Sequence, residues 1–328
     1  MRRAHARRAP IEHALVRMLA AMLMGSATMA ATAAPDDYSQ RLDTLWNFAQ
    51  PAESETRFRA EASRHPRASR EASEASTQLA RALGLQRRFV EADRALDAVK
   101  PTLARLPVRV HVRYLLERGR RDNSSGHRER AFAWFEQALD ASTGDTLPGA
   151  DYYRVDALHM LAIAAPLERQ RAWNLQALAV SDASSDPRTR GWRGSLLNNV
   201  GWTMHERGDD AAALAYWQDA LTAVEAQHDV VRIRIARWTV ARGLRAVGRL
   251  DEAETIQREL ADELDAAHAP DGYVFEELAE IAAARGDRVA ARSRAAKALA
   301  LLSQDADFRA NEAARLARLT ELANSPPQ

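Results

Sequence analysis

The side chains best suited to chemistry lie close together in the stretch SLLNNVGWTMHERGDDAAALAYWQDAL, residues 195–221. Asn198, Trp202 and His205 are separated by three or four residues, so a helix would place them on one face. An amide, an indole and an imidazole on one face could form a catalytic site. They could equally bind a ligand without transforming it.

Sequence motifs for catalysis or metal binding do not accompany these residues. His205-Glu206 has no second histidine at the spacing of a zinc-protease helix, and Ser195 lacks the second glycine of a nucleophile elbow. The sequence has no phosphate-binding glycine loop and no cysteine, and its nine histidines are scattered. We therefore expect a protein that is not an enzyme and uses no metal and no cofactor. An enzyme would need clustered acidic or histidine groups with shifted pKa values in a cleft.

The first 33 residues have the form of a secretory signal peptide. A basic segment, MRRAHARRAPIEHALVR, is followed by an apolar run that ends in Ala31-Thr32-Ala33, which predicts cleavage after Ala33. Residues 1–34 carry a net charge of +4, so the remainder has 41 basic and 44 acidic residues, a net charge of −3. We expect an exported protein, periplasmic or secreted, with no nucleic-acid partner and no membrane span after cleavage.

An internal repeat of about 40 residues runs along the rest of the chain. Its clearest copy has Gly208, then Ala213, Trp217 and Ala220, and related copies surround central alanines spaced by 38 to 41 residues. The central positions are Ala92, Ala131, Ala172, Ala213, Ala253 and Ala291. Small residues at these positions predict two helices in close contact, with the glycine ending the first helix. One such hairpin cannot bury its apolar face alone, so the hairpins must stack.

This pattern resembles the tetratricopeptide repeat, most clearly in LLNNVGWTMHERGDDAAALAYWQDAL and ARWTVARGLRAVGRLDEAETIQREL. The long period and the LNN segment are similar to the kinesin-light-chain type of this repeat. The resemblance covers residues 73–304 and implies an all-α, right-handed solenoid of about six hairpins. Residues 34–72 are expected to form an N-terminal helical cap, and residues 305–328 a C-terminal capping helix and tail. The third repeat departs from the pattern, because Pro166 replaces the turn glycine.

In the family that the sequence resembles, the first helix of each repeat lines a concave groove that holds peptides. Matching the repeat positions assigns groove residues to five of the six repeats. They are Arg120, Asn123, Arg154, Asn198, Trp202, His205, Trp238, Arg242, Arg245, Tyr273 and Glu276. Trp192 and Trp217 fall at helix-packing positions and are expected in the core.

The expected function is therefore non-catalytic binding of a protein or peptide segment, as a scaffold or assembly factor. Arginine side chains can bind carboxylates through two parallel hydrogen bonds, so an acidic segment or a free C-terminus would suit the groove. An open groove with exposed Asn198 and Arg242 would favour this function. The alternative is a cell-envelope accessory protein that binds a small molecule, a glycan or a lipid in a closed apolar pocket.

Overall fold

A computed structural model describes residues 38–143 and 149–325, apart from the side chains of residues 306 and 307. The predicted signal peptide lies outside these residues. The described residues are helical and contain no strand. They form two compact units, one ending at Arg207 and the other beginning at Gly208. The expected all-α fold of paired helices is confirmed.

The N-terminal unit consists of short end helices and helical hairpins. The end helices are α1 (Tyr38–Asp43) and α2 (Pro51–Ser63). The hairpins are α3 (Arg70–Leu85) with α4 (Phe89–Val99), α5 (Val108–Ser124) with α6 (Arg128–Ala141), and α7 (Ala150–Ala164) with α8 (Leu167–Ala183). A 3₁₀ helix, Lys100–Arg105, follows α4, and the short α9 (Pro187–Arg190) precedes α10 (Arg193–Glu206).

The C-terminal unit begins with α11 (Asp210–Glu225) and continues with two hairpins. These are α12 (Val230–Ala246) with α13 (Leu250–Ala266), and α14 (Gly272–Ala284) with α15 (Arg288–Leu302). The unit ends with α16 (Ala306–Asn311) and α17 (Ala313–Asn324), and α17 packs on α15. The stretch expected to form one C-terminal capping helix thus forms two, because the chain leaves helical geometry at Glu312, with φ −117° and ψ 39°.

Local chemistry explains where these helices begin and end. The turn glycines Gly126, Gly208, Gly248 and Gly286 have φ between 77° and 86°, a conformation that costs other residues steric strain. Aspartate side chains accept hydrogen bonds from the first backbone amides of several helices, as Asp209 does from Ala212 at 3.1 Å. The predicted turn positions are confirmed wherever a glycine marks them.

The core follows the repeat pattern closely. The central residues Ala92, Ala131, Ala213, Ala253 and Ala291 are at most 3% exposed. Trp192 and Trp217 are buried as predicted. Burial of these small side chains allows each pair of helices to approach closely, which is the condition for stacking the hairpins.

The predicted register of the third repeat is wrong by two residues in its second helix. Ala172 is exposed, whereas Asn174, Ala177 and Ser181 are buried. The turn explains the shift, because α7 and α8 are separated only by Ala165 and Pro166, both with ψ near 150°. Proline cannot adopt the positive φ of a turn glycine, so the turn is extended and shorter. As a result α8 begins earlier in the sequence than the repeat pattern predicts.

Glycine substitutions test the close approach of the helices. A Cβ at Gly119 would lie 2.2 Å from the ring of the buried Phe135, whereas a Cβ at Gly84 meets nothing within 4 Å. We expect Gly119→Ala to lower the free energy of unfolding by about 2 kcal/mol through overpacking. Gly84→Ala, the matched control, should raise it by up to about 1 kcal/mol through lower backbone entropy in the unfolded chain. Urea unfolding followed by circular dichroism measures both, and equal effects would contradict this account.

Candidate functional site

The predicted site lies on the first helices of the hairpins, which we call the first-helix surface. It comprises α3, α5, α7 and α10 in the N-terminal unit, and α12 and α14 in the C-terminal unit. Side chains three or four positions apart on these helices share one face, so each helix contributes a short row of groups.

Charged side chains on the N-terminal first-helix surface pair with residues about one repeat away. Arg109 donates to Glu74 at 2.7 Å, and Arg113 donates to Tyr153 at 3.3 Å. Arg120 donates to Glu117 at 2.6 Å and also to Asp156, 36 residues later. These contacts join α3 to α5 and α5 to α7, so they bind successive repeats to each other.

The same arrangement recurs on the C-terminal first-helix surface, around Glu277. Arg242 lies 2.5 Å and Arg245 lies 2.7 Å from its fully buried carboxylate. Burial opposes the charge of Glu277, but the two guanidinium groups more than offset it and lower its pKa to about 2. This carboxylate is therefore ionised at neutral pH and joins α12 to α14.

The last helix extends this pairing beyond the sixth repeat. Arg315 of α17 donates to Glu276 at 2.8 Å, and Arg318 donates to Glu280 at 3.0 Å. The Arg315 guanidinium also lies 5.1 Å from the ring centre of Tyr273. The carboxylates at the C-terminal end of the predicted groove are thus bound by the chain itself.

These contacts change what the predicted groove residues can do. Arg120, Arg242 and Arg245 were expected to be available to a ligand, but each is bound to a carboxylate of the chain. Glu276 is bound as well. Removing one partner of such a buried pair leaves an uncompensated charge, so a ligand carboxylate would have to compete with one that is already in place.

The residues of the opening stretch are buried. Asn198 is 1% exposed, Trp202 4% and His205 7%, and 11 of the 14 residues of α10 are buried. The expected exposure of Asn198 is therefore wrong, because α10 is enclosed along nearly its whole length. Their role in binding stays a prediction. The neighbouring Asn199 contacts Nδ1 of His159 at 3.0 Å, and burial lowers the pKa of His159 to about 4, so its ring is neutral at pH 7.

The remaining predicted residues differ in their surroundings. Trp238 is 5% exposed, and its indole nitrogen donates to the Tyr273 carbonyl at 3.0 Å. Arg154 contacts Asp151 and the Ser142 carbonyl, whereas the hydroxyl of its neighbour Tyr153 accepts a hydrogen bond from Arg113. Asn123, at the end of α5, is partly exposed.

One residue of this surface was missed by the sequence argument. Arg81 on α3 lies 39 residues before Arg120, so the repeat period could have identified it. It is partly buried, and its guanidinium lies over the rings of Trp46 and Phe48. The groove residues assigned from the sequence begin in the second repeat, so Arg81 in the first repeat is not among them.

Within the described part of the chain, no group of three or more acidic or histidine side chains is placed to hold a metal ion. No helix in that part has the length and apolar character needed to cross a membrane.

Comparison with known proteins gives the fold. No family model and no curated protein matches the sequence. Among solved structures, a signal-transduction ATPase with a tetratricopeptide repeat sensor from Pyrococcus horikoshii matches with a TM-score of 0.61 and 12% identity. The match covers 87% of this chain and 46% of that one.

Two further solved structures are similar over most of both chains. NprR in complex with its cognate peptide NprX matches with a TM-score of 0.53 and 15% identity, over 88% of this chain and 84% of that one. Aspartyl phosphate phosphatase F from Bacillus subtilis matches with a TM-score of 0.54 and 10% identity, over 96% and 93%. The fold is therefore similar to that of tetratricopeptide-repeat proteins.

The Glu277 pairs provide a test by pH. The pKa of Glu277 is about 2 in the folded chain and near 4.5 when unperturbed. The unfolded chain therefore binds the extra proton first as the pH falls. The stabilisation from this group, about 3 kcal/mol, is complete above pH 4.5 and disappears as the pH falls towards 2.

We expect Glu277→Gln to lower the free energy of unfolding at pH 7 by about 3 kcal/mol and to reduce its change between pH 4.5 and 2. Denaturant unfolding at a series of pH values measures this. Glu252→Gln is the matched control, because its Arg249 pair is exposed and should matter little. An unchanged pH dependence in Glu277→Gln would show that the two arginines do not stabilise this carboxylate.

Proposed function

We propose that the protein is a non-catalytic scaffold that binds a protein or peptide segment on its first-helix surface. One observation carries this proposal. The positions where helices touch repeat the same small residues, such as Ala131 and Ala213, whereas equivalent positions on the first-helix surface carry different groups. Arg120, Trp202 and Glu280, which occupy one equivalent position, are an example. A purely structural stack of hairpins does not require such chemical variety, whereas recognition of an irregular ligand requires it.

The similar structures support the proposal by analogy. One of them, NprR, is described in complex with its cognate peptide, on a fold that matches most of this chain. At 15% identity the similarity concerns the fold, so the nature of the ligand must come from this chain's own residues.

An acidic segment or a free C-terminus remains the ligand that we favour. The support is the abundance of guanidinium groups on the first-helix surface, which bind carboxylates with two parallel hydrogen bonds. Most of these guanidinium groups already bind a carboxylate of the chain. The ligand must therefore either displace such a carboxylate or bind a guanidinium that has no carboxylate partner.

Export and the type of repeat are also part of the proposal. The period of about 40 residues supports a kinesin-light-chain-like type of repeat. The basic segment, apolar run and small residues at 31–33 support secretion across a membrane. If export is correct, mass spectrometry of the protein recovered from the producing cell's envelope or medium will find an N-terminus at Ala34. Recovery of the intact Met1 form alone would contradict it.

Bulky substitutions test the binding surface in each unit. Asn123 and Ala283 are partly exposed and lie at equivalent positions near the ends of α5 and α14. We expect Asn123→Trp or Ala283→Trp to reduce capture of binding partners at least about tenfold, because an indole would fill space that the ligand needs. Quantitative mass spectrometry of captured proteins measures the loss.

The matched controls are Gln137→Trp and Ser293→Trp. Both residues are exposed on the second helices α6 and α15, so the same indole is added away from the first-helix surface. These variants should capture partners as the wild type does. If all four variants behave alike, the first-helix surface is not the binding site.

A further inference from the structure

Arg81 differs from the arginines at equivalent repeat positions. Arg120 and Arg242 each bind a carboxylate supplied about one repeat later, Asp156 and Glu277 respectively. Arg81 makes no ion pair or hydrogen bond with any described residue. Glu117, the residue of α5 that corresponds to Glu277, is bound by Arg120 of its own helix at 2.6 Å. Among the described residues, the repeat pattern thus leaves the Arg81 guanidinium without a carboxylate.

Two aromatic rings hold this guanidinium in place. Trp46 and Phe48 stack with their ring centres 4.4 Å apart and their planes 3° apart. The Arg81 guanidinium carbon lies 5.5 Å from the first ring centre and 5.4 Å from the second. Trp46 is fixed by a 3.3 Å hydrogen bond from its indole nitrogen to Gln78. A guanidinium above a ring keeps its N–H edge open for a planar acceptor.

The electrostatic surroundings of Arg81 favour a single added negative charge. Burial lowers the pKa of Arg81, and the like charge of Arg120 lowers it further. A guanidinium in a protein nevertheless keeps its proton at neutral pH. Glu117 and Asp156 are nearby and partly offset this repulsion. One carboxylate would complete the pairing that the other repeats already have, whereas a doubly charged group would meet these two acids.

We propose that Arg81, backed by Trp46 and Phe48, is the subsite where the ligand's carboxylate binds. The carboxylate comes from an aspartate or glutamate side chain or from a free C-terminus. This inference rests on the proposed function, since it places one anchor of the bound segment on the first-helix surface. Two parallel N–H···O bonds to the guanidinium replace the contacts that Asp156 and Glu277 make elsewhere.

Three acetylated peptides distinguish the chemistry and its source. Ac-Ala-Ala-Ala-Ala-NH₂ is neutral, Ac-Ala-Ala-Ala-Ala-OH has a terminal carboxylate, and Ac-Ala-Ala-Asp-Ala-NH₂ has a side-chain carboxylate. Each is titrated into the full chain while the arginine Nε–Hε resonances are followed by NMR. The resonance that is missing in Arg81→Gln identifies Arg81. We expect one or both charged peptides, but not the neutral one, to shift it. The charged peptide that shifts the Arg81 resonance more shows whether the carboxylate comes from a side chain or from a C-terminus.

Arg81→Gln should bind the effective peptide at least about fivefold more weakly, since a charge-assisted bond is lost. Arg81→Lys keeps the charge but not the planar guanidinium. Its affinity for the peptide should therefore lie between the affinities of the wild type and Arg81→Gln. Arg94→Gln is the matched control, because Arg94 is exposed on the second helix α4, and it should bind as the wild type does. Equal binding of the neutral peptide, or unchanged binding by Arg81→Gln, would overturn the subsite.

Two measurements separate this inference from folding and from the proposed function. The Tm of Arg81→Gln should stay within a few degrees of the wild type. If Arg81→Gln lowers the free energy of unfolding as much as Glu277→Gln does, a carboxylate of the chain holds Arg81. That result would overturn the subsite. If Asn123→Trp loses captured partners but Arg81→Gln keeps them, the subsite is wrong and the binding function stands. If neither variant loses them, both are wrong for this unit.

Discussion

The structure depends on close contact between the two helices of each hairpin. A helix with one apolar face gains little stability alone, so it must bury that face against a neighbour. Small residues at the contact, such as Gly119 against Phe135, let the backbones approach to the distance at which the core packs without voids. Each hairpin then presents a second apolar face to the next, and stacking follows from the same requirement.

Close stacking brings the polar side chains of successive first helices within bonding distance. Charged groups in such partly buried positions must be paired, because an isolated charge loses its hydration without compensation. The pairs Arg120–Asp156, Arg242–Glu277 and Arg315–Glu276 meet this requirement across successive helices. Charged residues that suggest ligand binding when the sequence is considered alone therefore contribute first to cohesion between repeats.

Charged groups that hold successive repeats together are less available to a ligand, so fewer residues remain as candidates for a binding site. A guanidinium that already has two carboxylate oxygens offers a ligand little, however favourable its position. A guanidinium held over aromatic rings with no carboxylate partner among the described residues keeps its hydrogen-bonding capacity, and Arg81 is in that state. The most informative groups on the surface are therefore the ones that depart from the pairing of their equivalents.

The sequence alone determined the features that depend on neighbours three or four residues apart. Helix type, the turns at Gly208 and Gly248, and the buried central alanines were predictable, because a helical period and a left-handed turn are local properties of the chain. Only the tertiary structure decided the enclosure of Asn198 and the partners of the arginines. Those depend on which side chains meet across 35 to 40 residues. Turn length also decides register, because the short turn at Pro166 shifts the buried positions of the next helix by two residues.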